Sequence, residues 1–182
     1  MNAVTLSHAI IKSQVKAGGF CIDATAGRGN DTAYLCSIVG KGGRVLAFDI
    51  QQEAIDSTKL RLEKEGYSAQ LVLDSHANMA KYAEENTVDC IVFNLGYLPS
   101  GNHNIFTSFS SSVNAITAGL QLLKHGGLMS VLIYYGGDSG YEERDALLPW
   151  LKTLDSAKYQ VLKTDFFNWT NDPPISIIIT KN

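Results

Sequence analysis

The sequence predicts an α/β fold: a seven-stranded, mostly parallel sheet with helices on both faces and an antiparallel hairpin at its C-terminal end. Three observations predict it. From residue 20 onward short apolar runs alternate with helical stretches, the pattern of parallel crossovers. The last two strand-like runs, Tyr159 to Phe166 and Ile175 to Thr180, are joined by Asn168 to Pro174, which is too short for a crossover helix and is broken by Pro173-Pro174, so they should pair antiparallel. The chain has 182 residues and 45% hydrophobic content, enough for one domain over residues 1–182 with a substantial core.

Each element has its own signal. Leu6, Ile10, Ile11 and Val15 recur at helical spacing before Gly18-Gly19 and predict a first helix packed on the edge of the sheet. Strands follow at Phe20 to Asp23, Arg44 to Asp49, Gln70 to Leu73, Asp89 to Asn94 and Leu128 to Tyr135. Helices begin near Asp31, Gln52, Ser75 and Ser111, with another near Glu142. Five parallel strands and a closing hairpin make the Rossmann-like sheet of class I methyltransferases.

The turn after the first strand reads as a nucleoside-cofactor cradle. In Asp23-Ala24-Thr25-Ala26-Gly27-Arg28-Gly29-Asn30-Asp31-Thr32 two glycines let the backbone approach a ligand and a helix starts at Asn30/Asp31. Asp49, twenty residues beyond Gly29, ends the second strand with a carboxylate suited to a ribose diol. A dinucleotide fingerprint wants a third glycine where this chain has Thr32, and bare amides where it has Asp31. Asp23 and Asp31 would repel phosphate but suit a ligand carrying an ammonium and a sulfonium. S-adenosylmethionine is such a ligand.

Ligands in such a sheet collect beyond the carboxyl ends of the strands, and the candidates sit there. Thr25, Gly27, Gly29, Asn30 and Asp31 follow the first strand, where helix amides can meet a methionine carboxylate. Asp49 and Gln51 follow the second, and Asp74-Ser75-His76 the third, where Ser75 and His76 are placed toward the adenine. Ser75 also reads as a helix N-cap. The fourth strand ends in Asn94-Leu95-Gly96-Tyr97-Leu98-Pro99-Ser100-Gly101. In amine-directed methyltransferases this loop supplies a side-chain amide oxygen, a backbone carbonyl and an aromatic ring to the nucleophile. Asn94, the Leu95 carbonyl and Tyr97 are the candidates for those catalytic roles. Methyl transfer from a sulfonium needs no metal and no triad, because holding the reacting atoms in line supplies most of the acceleration. Tyr135, Asp138 and His103 are the candidates to receive the proton that an alkyl ammonium must lose.

Composition narrows the class further. The net charge of −3 carries no basic excess, so a nucleic-acid partner would need a local patch from Lys12, Lys16, Arg28, Lys41, Lys124 or Arg144. Cys21, Cys36 and Cys90 lack paired spacing, which argues against disulfides and zinc and for a reducing compartment. Without a basic-then-apolar leader or a long apolar run, the chain reads as cytoplasmic, with no membrane partner.

Taken together the motifs resemble one family, the small bacterial methyltransferases long labelled "putative rRNA methylases" and recognised as MnmM-type tRNA wobble-uridine enzymes. The carriers are Asp23-Ala24-Thr25 with Gly27, Gly29, Asp31 and Thr32, then Ala47-Phe48-Asp49-Ile50-Gln51, Ser75-His76, Phe93-Asn94-Leu95-Gly96-Tyr97-Leu98-Pro99 with Gly101, and Asn171-Asp172-Pro173-Pro174. The resemblance implies S-adenosylmethionine as donor. It implies the aminomethyl nitrogen of 5-aminomethyl-2-thiouridine, in the anticodon region of tRNA, as acceptor. Two departures stand out: Tyr134-Tyr135-Gly136-Gly137-Asp138 replaces a Tyr-His-Gly-His-like run, and Asn30 stands where histidine is common. Without the resemblance the residues also admit an rRNA or adenine-N6-like amine methylase, opposed by Leu95-Gly96 in place of two prolines. A nicotinamide-dependent oxidoreductase, opposed by Thr32, and a non-catalytic binding module are the other readings; a homodimer is left open.

Overall fold

The computed structural model describes residues 1–95, 109–135, 138–170 and 173–182. Its elements are α1 (Ala3–Gln14), β1 (Phe20–Asp23), α2 (Asn30–Val39), β2 (Arg44–Asp49), α3 (Gln52–Glu65), β3 (Gln70–Leu73), a 3-10 helix (His76–Lys81), β4 (Val88–Leu95), α4 (Phe109–Leu122), β5 (Leu123–Ile133), α5 (Asp138–Leu151), β6 (Tyr159–Thr164) and β7 (Ile175–Lys181). They build one seven-stranded sheet in the order β3-β2-β1-β4-β5-β7-β6. The first five strands are parallel, and β7 runs antiparallel to both β5 and β6. The predicted hairpin is therefore present, although β6 stops at Thr164 rather than Phe166.

The strand order reverses between β1 and β4. Four-residue β1 is an uninterrupted apolar run up to Asp23, as a strand covered on both faces requires. One apolar cluster, with Phe48, Phe93, Met79, Ile116 and Leu147, fills one side of the sheet. A second, with Ile11, Val15, Leu35, Val39 and Leu62, fills the other.

Two expectations about elements need correction. The first helix does not lie on the sheet's edge: α1 packs across β5 and β7, inside the edge strands β3 and β6. Buried Ile11 and Val15 draw it onto that face, and the buried Ser7 and Ser130 hydroxyls hydrogen-bond each other between α1 and β5. The helix expected near Ser75 is a single 3-10 segment, because Ser75 caps it through Ala77 N–H (3.3 Å) and the Asp74 carboxylate gathers Ser75 N–H (2.7 Å), Asn78 Nδ2 (2.8 Å) and Tyr82 Oη (3.0 Å) around its start.

Candidate functional site

The carboxyl ends of β1, β2, β3 and β4 bring the predicted residues to one place. Asp23 is the last residue of β1 and is fully buried. One of its oxygens accepts from the Thr25 amide (3.1 Å) and the other from the Thr32 hydroxyl (2.6 Å), so the carboxylate shapes the turn from within. Burial, reinforced by the neighbouring Asp31 charge, raises its pKa from 3.8 to about 7. Thr32 therefore has a packing reason to replace the glycine of a dinucleotide turn: its buried hydroxyl is the partner of Asp23.

The turn is then tied to the second strand. Ala26 N–H donates to the Phe48 carbonyl (2.9 Å) and Gly27 N–H donates to Asp49 Oδ2 (3.0 Å). Asp49 Oδ1 accepts from Gln51 N–H (2.9 Å). Gly27 and Gly29 both have positive φ, 54° and 76°. At Gly29 a Cβ would lie 2.9 Å from Thr58 Cα, so the missing side chain also makes room for α3. Gly29 is also the N-cap of α2, whose first intrahelical bond runs from Ala33 N–H to the Gly29 carbonyl (3.0 Å). The Asn30 and Asp31 amides precede that bond and form the positive end of the helix dipole.

His76, beside the 3-10 helix cap, meets the cradle from the third strand. Its Nδ1 lies 3.1 Å from the Ala24 carbonyl. A carbonyl only accepts, so Nδ1 carries the hydrogen; burial lowers the ring's pKa and keeps it neutral, leaving Nε2 as an acceptor.

From β4 the Asn94 amide N–H donates to Thr25 Oγ1 (2.7 Å), fastening the fourth strand to the cradle. The Asn94 side chain donates through Nδ2 to Asp31 Oδ2 (2.5 Å). The Leu95 carbonyl accepts from Tyr134 N–H (3.0 Å), because the β4–β5 ladder continues past the strand end; this occupies one of its two lone pairs, and the Leu95 side chain is fully buried. Tyr97 and the rest of 96–108, His103 among them, lie outside the described residues, as do Gly136, Gly137, Asn171, Asp172 and the side chain of Asp138. Tyr135 is buried against Tyr141, with the Arg144 guanidinium 4.8 Å from its ring centre.

Sequence reasoning missed His8. Its Nε2 lies 2.5 Å from Asp31 Oδ1, and its ring stacks on Tyr34 with centroids 3.7 Å apart and planes 7° from parallel. Helical spacing placed the residue within an amphipathic first helix, and nothing local marks it; only the docking of α1 brings it to α2.

The six candidate cations do not gather in one place, and Lys12 lies in the last turn of α1. Lys16, Lys41 and Lys124 belong to the loops and strand starts of the opposite, amino edge, where Lys124 pairs with Asp89. Arg28 lies in the cradle turn and Arg144 in α5 beside Tyr135, both on the carboxyl edge. Among the described residues no helix is long and apolar enough to cross a membrane.

Comparison with known proteins agrees with this architecture. A family model described as "Putative rRNA methylase" matches residues 45–180. A chloroplastic tRNA (mnm(5)s(2)U34)-methyltransferase of Arabidopsis thaliana is 37% identical over 156 residues, 80% of this chain and 57% of that protein. The chain thus spans little more than half the length of that curated relative. A "putative rRNA-methylase" crystal structure from Clostridium thermocellum superposes with a TM-score of 0.97 at 45% identity, covering 100% of this chain and 98% of the other. A "putative methyltransferase" from Streptococcus mutans, solved in complex with SAH, superposes with a TM-score of 0.90 at 35% identity, covering 100% and 99%. This chain belongs to the putative rRNA methylase family and has the fold of the S-adenosylmethionine-dependent methyltransferases.

Proposed function

We propose that this protein transfers a methyl group from S-adenosylmethionine to RNA, and that its acceptor is the aminomethyl nitrogen of 5-aminomethyl-2-thiouridine at the wobble position of tRNA. The observation that carries the reading is the side chain of Asn94, held at the tip of β4 by Asp31 and joined through its backbone to the cradle at Thr25. The tRNA target is supported by the Arabidopsis relative's name and by the Asn-Leu-Gly-Tyr-Leu-Pro run that begins at Asn94.

The residues present fit the donor. Asp49 keeps one acceptor position on each oxygen after its two backbone bonds, a match for two ribose hydroxyls. The Asn30 and Asp31 amides at the positive end of α2 suit a carboxylate, and the Asp31 carboxylate suits an ammonium. The Nε2 of neutral His76 and the Ser75 region border the adenine side, with Thr25, Gly27, Gly29 and Gln51 shaping the wall between. S-adenosylmethionine supplies a methyl group on a positively charged sulfur, activated enough that alignment is the main requirement.

The chain's own part is to align the amine. A carboxylate can only accept, so Asp31 fixes the Asn94 amide with Nδ2 inward and leaves Oδ1 to accept an N–H of the incoming amine. An amine so held points its lone pair away from Oδ1. Tyr97 is proposed to cover the planar face of the base and the Leu95 carbonyl, through its second lone pair, to assist Asn94.

Incubation with labelled donor and tRNA bearing the unmethylated aminomethyl group tests the reading, with nucleoside mass analysis of the product. Label is expected in 5-methylaminomethyl-2-thiouridine. Label in N6-methyladenosine, or in no nucleoside at all, refutes the proposed acceptor.

A further inference from the structure

We propose that His8 is a positioning residue for methyl transfer, acting through Asp31 on the Asn94 amide; the proposal rests on the acceptor role given to Asn94 above. The two oxygens of Asp31 are divided between two partners, His8 Nε2 on Oδ1 and Asn94 Nδ2 on Oδ2, both at 2.5 Å. His8 is itself held from three directions. Its ring lies flat on Tyr34, one helical turn beyond Asp31; its carbonyl accepts from the Tyr34 hydroxyl (2.5 Å); and the preceding residue, Ser7, is pinned to Ser130 of β5. A histidine on a solvent-facing stretch of α1 needs none of this.

The physical effect is on a choice that asparagine otherwise leaves free. The amide O and NH2 of Asn94 are nearly the same size, and rotation by half a turn exchanges them. With NH2 toward the acceptor amine the amide would donate to the very lone pair that must attack; with oxygen toward it the amine's N–H is held and the lone pair stays free. Asp31 selects the second arrangement because it has only lone pairs to offer, and the His8 N–H fixes which way the Asp31 carboxylate faces. The N-terminal helix, which supplies no strand to the sheet, thereby reaches the reacting centre.

The test compares His8→Phe with His8→Gln in the full chain. Phenylalanine keeps a ring against Tyr34 and removes the N–H, whereas glutamine can place an amide N–H near the position of Nε2. Loss of one hydrogen bond to a charged group predicts about a tenfold fall in kcat for His8→Phe. The Kd for S-adenosylhomocysteine and the KM for tRNA should stay within about twofold, and His8→Gln should recover much of the rate, because an alignment defect acts on the transition state and not on binding. An unchanged kcat in His8→Phe overturns the proposal. So does a fall in donor affinity that accounts for the rate loss, or a glutamine variant no better than phenylalanine. If His8→Phe does not fold, His8→Leu takes its place under the same criteria. Wild-type protein that methylates no tRNA overturns the functional reading as well, whereas active wild-type protein with an indifferent His8 overturns this inference alone.

Discussion

Replacing Asp49 with asparagine separates two jobs that its carboxylate is arranged to do at once. In the structure Oδ2 accepts from Gly27 N–H at 3.0 Å and Oδ1 from Gln51 N–H at 2.9 Å. An ionised carboxylate has roughly four acceptor positions, so about two remain for the ribose hydroxyls of the proposed donor. Asparagine is nearly isosteric but turns one oxygen into an NH2, which must face either the Gly27 or the Gln51 amide donor to donor. Leaving such a group unsatisfied costs about 1–3 kcal/mol of stability, and at this chain length each kcal/mol lowers Tm by about 2–4 °C. For the ligand, one charge-assisted bond is lost, about 1.5–3 kcal/mol, or about 10- to 150-fold in Kd. Isothermal titration with S-adenosylhomocysteine, below the melting transition of both proteins, measures the second effect apart from the first. Weakening of that size in a folded variant is the expected outcome. A variant that melts earlier yet binds within about twofold of wild type would show that Asp49 only pins the turn, and the ribose assignment would be wrong.

Further outcomes follow from the same geometry. Asn94→Ala should lower kcat by about a hundredfold, the scale of a misplaced reactant, while S-adenosylhomocysteine affinity in calorimetry stays near wild type; an equal loss of affinity would remove Asn94 from the acceptor role. Asp23, raised from 3.8 to about 7 by burial and by Asp31, keeps a proton in the folded state that the unfolded chain gives up between those values, so its contribution to stability falls as pH rises through that window. The fall is at most about 4 kcal/mol, and urea midpoints measured across the window should decline less steeply in Asp23→Asn than in wild type; parallel pH profiles would contradict the buried neutral carboxyl. Gly29→Ala and Gly66→Ala make a matched pair, because both have left-handed backbone, φ 76° and ψ 17° against φ 73° and ψ 27°, but a Cβ meets Thr58 Cα at 2.9 Å only in the first. The left-handed backbone alone costs about 1–2 kcal/mol, so Gly66→Ala should lose that much and Gly29→Ala measurably more in denaturant unfolding; equal losses would mean α3 moves aside freely.

What the sequence by itself determined was whatever is written locally or repeated at a fixed period. The strands Phe20–Asp23, Arg44–Asp49 and Gln70–Leu73 have the predicted ends, because short apolar runs bounded by polar turns leave little freedom in where a buried strand can stop. The hairpin was legible because Pro173-Pro174 and a short connection exclude a crossover. The cradle residues were legible as a set because strand ends in a parallel sheet share one edge, so any polar residue just after a strand is already near the others. Tertiary structure alone decided which of those residues face each other. That His8 reaches Asp31, that the Leu95 carbonyl accepts from Tyr134, that Gly29 makes room for Thr58 and that Lys16, Lys41 and Lys124 sit on the far edge all follow from contacts between segments distant in sequence. The reason is that a side chain's partner depends on how an element is docked and rotated, and docking is set by the summed burial of apolar faces on both elements. A histidine on a helix carries no record of the aspartate that another helix will bring to it.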